Sequence, residues 1–536
     1  MIPGEAQARI NDAAQTYLEA RAAAMNGDHA RSAELLAALA DAQPGQVDIA
    51  RKALGEAIGS GQLDLALSLS QRIPAAKLPI EARLLLVADS IKRGRIDRAQ
   101  EWLSVKGETG DLTFLSPLLS AWDAAGRGDV ERALNTIDQI PSNSLLGPLR
   151  AEQRAFILLK FRRTGEAEPF ARRAIGTAGG RENRLRLAFA DGFLAAGDKD
   201  RALAMIEGMG SEAAVARQRV IAGRNGGQAI DTLSEAFAEA MDAFVGDLAR
   251  LQRGSPPVGL AQVARYANPQ DSATTAILAL LLDSQHRGGE ALALLRSVPR
   301  DDPQISQIRD VETRILTNDK RLNEAFAVAS AAAAAPGAGM ADYSRLGDVY
   351  EAMKRHSEAA AAYSKAVAIG RAQGLKADLW PILLLQASAF EQAQQWPQTK
   401  AALQEALAIA PEQPLLLNFM GYAELEHGEN MDSAEAMIRK ASELAPDDAS
   451  ITDSLGWAQF KRGKVAEAID TLQLAAEKDP DQAEIQEHLG DALYKSGRRF
   501  EARFAWEAAL VTGEDDIAGR VRAKLSSGLT AANAAP

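Results

Sequence analysis

The sequence predicts an all-α protein, an α-solenoid of about fifteen stacked helical hairpins. Two observations lead to this prediction. An alanine recurs every 33 to 35 residues through most of the chain, and no segment shows the valine-rich alternation of a β-strand. Stacked hairpins bury a core only between neighbours. One continuous array therefore replaces the roughly three or four globular domains that a chain of 536 residues would otherwise suggest.

The recurring alanine marks the second helix, helix B, of each hairpin. A small residue there lets helix B cross the first helix, helix A, at close range. The positions are Ala33, Ala66, Ala99, Ala133, Ala167, Ala202, Ala291, Ala325, Ala359, Ala434, Ala468 and Ala502, with Thr399 in the slot between Ala359 and Ala434. Prolines such as Pro411, Pro446 and Pro480 are expected to end helix B.

The interval between Ala202 and Ala291 is irregular. We expect two shorter units there. One ends in the AIDTL of 229–233, which repeats the AIDTL of 468–472, and the other is interrupted by the prolines and glycines of 253–259. Consecutive prolines interrupt a helix, so we predict a kink between two lobes. The longer spacing from Ala359 to Thr399 predicts an extended helix B or a protruding loop at 368–379.

These features give four predicted regions. They are a degenerate N-terminal array at 1–233, an irregular unit with the kink at 234–270, a C-terminal array at 271–513, and a capping helix with a flexible tail at 514–536.

Composition narrows the class of function. The 60 basic and 72 acidic residues give a net charge of -12, which argues against a nucleic-acid partner. The absence of cysteine excludes thiolate metal sites and a cysteine nucleophile. No uncharged apolar run of 18 residues occurs, so we expect no transmembrane segment, and the first residues lack the pattern of a signal peptide.

The sequence contains none of the common catalytic or phosphate-binding motifs. Its five histidines are dispersed. His29, His286, His356 and His427 fall at turns between helices, and His488 on a helix A is expected to be structural. We therefore expect no enzymatic activity, no metal site and no cofactor.

Three C-terminal segments share one frame: MGYAELEHGENMDSAEAMIRKASELAPDD, LGWAQFKRGKVAEAIDTLQLAAEKDPDQ and LGDALYKSGRRFEARFAWEAALVTGED, with leading glycines Gly421, Gly456 and Gly490. This frame resembles the tetratricopeptide repeat (TPR). The resemblance implies a right-handed superhelix whose A helices line a concave groove that binds protein segments.

The repeat frame assigns inward positions on three successive A helices. They are Asn418, Tyr422 and Leu425; Asp453, Trp457 and Phe460; and Glu487, Asp491 and Tyr494. We predict that the aromatic residues are exposed anchors for one or more protein partners. The alternative for Phe460 and Tyr494 is packing between neighbouring A helices. Because no lysine occupies the slots of a carboxylate clamp, the groove should favour a partner segment with apolar and basic side chains.

The charge is divided unevenly along the chain. Residues 148–187 contain ten basic and four acidic residues, whereas 411–516 contain ten basic and 23 acidic residues. We take Arg162, Arg163, Arg172 and Arg173 as a second candidate docking surface. The alternative is an ordinary solvated helix surface.

The strings DSLGW at 453–457 and HLGDALYKSGRRFEARFAWEAAL at 488–510 are similar to the ends of large TPR proteins of the Gram-negative cell envelope. That resemblance implies a non-enzymatic adaptor in the periplasm after removal of a signal peptide, with an envelope protease or an envelope-integrity factor as partner. The alternatives are a cytoplasmic assembly adaptor or a regulatory, non-catalytic component of an enzyme complex.

Overall fold

The computed structural model describes residues 3–108, 110–207, 209, 212–250, 256–300, 302, 304–335 and 337–535. These residues form thirty α-helices joined by short turns, and no β-strand occurs among them. The predicted all-α solenoid of about fifteen hairpins is therefore confirmed. The chain divides into two compact units, Met1–Arg345 and Leu346–Pro536.

The first unit begins with six hairpins. Their helices are α1 (Pro3–Met25), α2 (His29–Ala42), α3 (Val47–Gly59), α4 (Leu63–Ser70), α5 (Ile80–Lys92), α6 (Ile96–Ser104), α7 (Ser116–Gly126), α8 (Val130–Asp138), α9 (Arg150–Lys160), α10 (Thr164–Thr177), α11 (Glu182–Ala195) and α12 (Lys199–Met205). The unit continues with α13 (Glu212–Ile221), α14 (Leu233–Arg250), α15 (Val258–Ala267), α16 (Ser272–Ser284), α17 (Gly288–Arg296), α18 (Ile305–Asn318) and α19 (Leu322–Ala333).

Helix α20 (Met340–Ala352) contains the division between the units. The second unit then contains α21 (His356–Ala372), α22 (Trp380–Gln392), α23 (Trp396–Ile409), α24 (Pro414–Glu426), α25 (Met431–Leu444), α26 (Ala449–Lys461), α27 (Val465–Lys478), α28 (Ala483–Lys495), α29 (Arg499–Thr512) and α30 (Asp515–Ser527). Helix α21 has 17 residues, which confirms the predicted extended helix B. In this unit the even-numbered helices α22 to α28 are A helices.

The recurring alanine lies at the centre of the packing. Every position of the series, Thr399 included, is fully buried in a helix B. The leading glycines of the C-terminal hairpins have the same role on helix A. A Cβ atom on Gly456 would lie 2.6 Å from Leu472 Cγ, and one on Gly490 would overlap the Trp506 ring. Close approach of helices A and B therefore fixes both small-residue positions.

Helices α14 and α15 fold back onto earlier helices of the first unit. Helix α14 packs on α5 and α7, and α15 packs on α3 and α5. Tyr266 donates from its hydroxyl to Asp89 Oδ1 at 3.0 Å, and the rings of Phe114 and Phe244 meet edge to face. Contacts in this region are therefore not limited to sequence neighbours.

Two sequence expectations fall in this region. The AIDTL of 229–233 is not a helix B, because residues 224–232 form an irregular loop and only Leu233 begins α14. The backbone N–H of Gln228 in that loop donates to the buried carboxylate of Asp191. The same five residue types are helical at 468–472, within α27. The kink predicted at 253–259 stays a prediction, because residues 251–255 lie outside the described residues. The boundaries of the four predicted regions also stay predictions.

Candidate functional site

The A helices of the second unit lie side by side: α24 packs on α26, α26 on α28, and α28 on α30. Three of them carry the residues predicted to face a groove. These are Asn418, Tyr422 and Leu425 on α24; Asp453, Trp457 and Phe460 on α26; and Glu487, Asp491 and Tyr494 on α28. Together they form what we term the A-helix face.

Trp457 is not the exposed anchor that the sequence predicted, because it is only 1% exposed. Its indole stacks on Phe460 at a centroid distance of 4.9 Å and on the imidazole of His488 at 4.1 Å. The repeat frame correctly places Trp457 on helix A. The frame does not reveal that the next A helix supplies a ring that covers it.

His488 is buried and paired with a carboxylate, as expected for a structural histidine. Its Nδ1 lies 2.9 Å from Asp453 Oδ2. Burial alone would lower the pKa of His488, but the charge of Asp453 and its hydrogen bond outweigh burial and raise the pKa above its ordinary value. The other ring nitrogen, Nε2, is buried and has no hydrogen-bond partner in the described part of the chain.

Two buried carboxylates on α28 are paired with cations from α30. Lys524 Nζ lies 2.6 Å from Glu487 Oε1 and 2.7 Å from Asp491 Oδ2. Arg520 Nη2 lies 2.7 Å from Glu487 Oε2. The remaining oxygen of Asp491 accepts a hydrogen bond from Trp506 Nε1 at 2.9 Å. Because buried charges are stable only when paired, α30 completes this part of the A-helix face.

The pKa values of these two carboxylates are shifted in opposite directions from their ordinary values. Burial alone would raise the pKa of Glu487, but hydrogen bonds from Arg520 and Lys524 hold that pKa below its ordinary value. Burial raises the pKa of Asp491, and the charge of Lys524 only partly opposes that rise.

These cations were not predicted from the sequence. No lysine occupies the carboxylate-clamp slots of the A helices, but Lys524 reaches the face from the capping helix α30. A signal was present, since Arg520 and Lys524 are four residues apart and share one side of a helix.

Residues 528–535, which we term the return segment, follow α30 and contact this face through Ala535. The flexibility expected of this tail stays a prediction. Asn533 Nδ2 donates to Gly528 O at 2.9 Å and closes a turn. The backbone N–H of Ala535 then donates to Asp491 Oδ2 at 3.1 Å. Asn533 and Ala535 are buried, and Ala535 belongs to the same apolar cluster as Trp457.

Four other predicted face residues, Asn418, Tyr422, Phe460 and Tyr494, are half-buried, and Leu425 is buried. Asn418 donates to Ser454 Oγ at 3.2 Å. Phe460 stacks on Trp457 of its own helix, and Tyr494 lies against Trp506 on helix B of its own hairpin, so neither ring contact joins neighbouring A helices. 

Tyr422 retains exposed surface in an acidic environment. Burial raises the pKa of Tyr422 above its ordinary value, and the charges of Glu426, Glu484 and Asp453 add to that rise. Tyr422 is the predicted aromatic anchor that stacks on no other aromatic ring among the described residues, so we retain it as an anchor.

The second candidate surface is partly neutralised. Arg163 pairs with Glu131 and Glu166, and Arg172 pairs with Glu168. Arg162 and Arg173 are exposed. Because Glu131 lies outside the counted stretch 148–187, the surface carries less net positive charge than the sequence count suggests.

Other arginines of the basic stretch point into the first unit. Arg184 Nη2 lies 2.8 Å from Glu239 Oε2, 2.8 Å from Asp242 Oδ2 and 2.7 Å from Asp271 Oδ2. Arg181 pairs with Glu152 and Glu239. Burial raises the pKa of Asp242 to about 7. This cluster was not predictable from the sequence, because Glu239 and Asp242 on α14 and Asp271 just before α16 lie far along the chain from the two arginines.

Neither a metal site nor a membrane span is found in the described part of the chain. No group of three or more histidine, aspartate or glutamate side chains there could hold a metal ion. None of the helices formed by the described residues is long and apolar enough to cross a bilayer.

Several solved structures are similar to this chain at low sequence identity. The Cut9–Hcn1 hetero-tetramer of the APC/C is 14% identical over 96% of both chains, with a TM-score of 0.39. A tetratricopeptide repeat protein from Parabacteroides merdae is 13% identical over 47% of this chain and 97% of its own, with a TM-score of 0.40. YrrB, a TPR protein with an unusual peptide-binding site, is 17% identical over 34% of this chain and 91% of its own, with a TM-score of 0.27. These TM-scores are too low to support an inference about function.

No curated protein matches the sequence. Two segments do match family models: residues 456–497 match a TPR repeat, and residues 343–370 match a tetratricopeptide repeat. The first includes part of α26 and all of α27 and α28, and residues of α26 and α28 contribute to the A-helix face. The chain therefore carries tetratricopeptide repeats in these two segments.

Proposed function

We propose that this chain is a non-enzymatic protein-interaction scaffold and that the A-helix face binds a partner segment with basic and apolar side chains. One observation carries the proposal. The chain's own α30 places Lys524 and Arg520 on the carboxylates of Glu487 and Asp491. This internal pairing supports the proposal, because cationic side chains already complement the carboxylates of the face.

The part of the face beyond α30 offers the same chemistry to a partner. Tyr422 is half-buried, and Glu484 and Glu426 beside it are exposed. An aromatic ring contributes a large contact area at small entropic cost, and exposed carboxylates speed the approach of a basic segment. We expect the partner's apolar side chain to pack on Tyr422 and its cation to lie near Glu484.

For the cellular setting we propose the Gram-negative cell envelope, with an envelope protease or an envelope-integrity factor as the partner. The support is the resemblance of 453–457 and 488–510 to envelope TPR proteins. A cytoplasmic assembly adaptor and a regulatory component of an enzyme complex are the alternatives that the experiment below distinguishes.

The test is a quantitative pull-down from separate envelope and cytosolic fractions, with three baits: the unchanged chain, Tyr422→Ala and Phe504→Ala. Phe504 is an exposed aromatic residue on α29, outside the A-helix face, so it is a matched control. We expect proteins that are captured from the envelope fraction by the unchanged chain and by Phe504→Ala but lost with Tyr422→Ala. Equal capture by all three baits would contradict the assigned face, and capture from the cytosol alone would contradict the setting.

A further inference from the structure

We infer that the return segment, residues 528–535, is a displaceable internal ligand of the A-helix face, and that a partner binds there by replacing it. The partner part of this inference rests on the proposed function. The docking of the return segment on the face of its own chain does not rest on the proposed function, and it can be tested alone.

Two apolar side chains of the segment contact the array: Leu529 packs on the cluster that contains Trp506, and Ala535 packs on the cluster that contains Trp457. One side-chain hydrogen bond joins the described part of the segment to the face, from the backbone N–H of Ala535 to Asp491 Oδ2. Asn533 makes hydrogen bonds with Thr530 and Gly528 that close a turn within the segment. Thr530, Ala531 and Ala532 are exposed. A segment with so few buried groups opens at small free-energy cost compared with a packed helix.

Release of the segment leaves no buried charge unpaired. Asp491 keeps its bonds from Lys524 and Trp506, and Trp457 keeps its stacking on Phe460 and His488. Gly528 has φ +81, a conformation that glycine adopts without strain, so the chain can turn at the end of α30. The segment can therefore leave while α30 stays in place.

The contacts also define what replaces it. Ala535 places a methyl group in the apolar cluster of Trp457 and Leu425, and its N–H faces a carboxylate oxygen. The complementary ligand is an extended peptide with a small apolar side chain and a free backbone N–H beside it. A basic side chain elsewhere in that peptide would complement the exposed Glu484.

The first experiment measures docking in the full chain. The protein contains no cysteine, so a single introduced thiol is the only one to react. Ala535→Cys places the thiol at a buried position, and Ala532→Cys is the matched exposed control. We expect Ala535→Cys to react with a maleimide at least about tenfold more slowly than Ala532→Cys. Adding Asn533→Ala, which opens the turn, should remove the difference.

Equal maleimide reaction rates in the two single-cysteine chains would count against docking of the segment. The larger cysteine side chain at 535 could itself push the segment off the face, so a second measurement uses the unchanged chain. Hydrogen exchange of the unchanged chain decides that case. The Ala535 amide should exchange at least about tenfold more slowly than the amide of Ala532, and comparable rates would overturn the inference.

The second experiment measures displacement with a labelled peptide of sequence GLTAANAA, which copies 528–535. A tethered segment acts at an effective concentration of about 1 mM, so tenfold protection corresponds to a Kd of about 0.1 mM for the free peptide. We expect the peptide to bind a chain ending at Gly528 with about that Kd and to bind the full chain about tenfold more weakly. Equal binding to both chains, or no binding at 1 mM to either, would overturn the inference while leaving the pull-down test of the scaffold intact.

Discussion

The imidazole of His488 lies flat against the indole of Trp457, with ring centroids 4.1 Å apart and an interplanar angle of 11°. The two residues belong to A helices of successive hairpins, α28 and α26. Through this contact and the bond from His488 to Asp453, the hairpin of α28 buries a polar and an aromatic group of the hairpin of α26. The predicted binding face is thus also part of the neighbour-to-neighbour core.

We predict that His488 makes the stability of the second unit pH-dependent. The pKa of His488 is raised in the fold by Asp453, with further contributions from Glu484 and Asp491. Folding therefore favours the protonated ring, whose stabilising effect is full below the unfolded pKa of about 6.5 and is lost as pH rises through the folded pKa. The measurement is urea unfolding of the unchanged chain and of His488→Gln between pH 5.5 and 9.

The difference in unfolding free energy between the two chains should shrink as pH rises over that range. Taking the difference removes the contributions of other titrating groups such as Asp242. A difference that is constant or grows with pH would contradict a raised pKa at His488.

The second prediction concerns the buried alanine series. Ala434 is fully buried, whereas Ala436 two residues later on α25 is exposed. Ala434→Leu should destabilise the unit by about 1–3 kcal/mol, because the larger side chain forces α24 and α25 apart. Ala436→Leu should change stability by less than about 0.5 kcal/mol. Equal effects in thermal and urea unfolding would show that the series does not mark the helix crossing.

The alanine series also shows how far sequence reasoning extends. Spacing alone located Ala434 and its equivalents, since a helix crossing admits only a small residue whatever surrounds it. The burial of Trp457 was not predictable in the same way, because the covering ring of His488 lies on the next hairpin. Lys524 and the return segment reach the face from beyond the last repeat, where the repeat frame assigns no positions.

The third prediction tests the buried ion pairs of α28. Lys524→Met should destabilise the second unit by about 3–5 kcal/mol, because Asp491 then loses its cationic partner in the described part of the chain while it stays buried. The control is Lys440→Met, whose exposed pair with Glu412 at 3.4 Å should contribute less than about 1 kcal/mol. A cost for Lys524→Met as small as that for the control would contradict the described burial.

The predicted role of Trp457 as a binding anchor is better tested elsewhere on the face. Because Trp457 is buried, Trp457→Ala would cost about 3–5 kcal/mol of stability and confound any loss of binding. Tyr422 keeps exposed surface on the same face, so its truncation separates binding from folding.

The central claim is that the A-helix face binds a protein segment, and the most direct test is calorimetry with the partner identified by pull-down. The chain ending at Gly528 is titrated with that partner, with and without Tyr422→Ala, and Phe504→Ala is the control. Loss of a central aromatic anchor costs about 2 kcal/mol, so we expect Tyr422→Ala to weaken binding at least about 30-fold and Phe504→Ala to change it less than about threefold. If the chains with and without Tyr422→Ala bound the partner with the same Kd, the account would be contradicted. The surface around Arg162 and Arg173 would then be the next candidate.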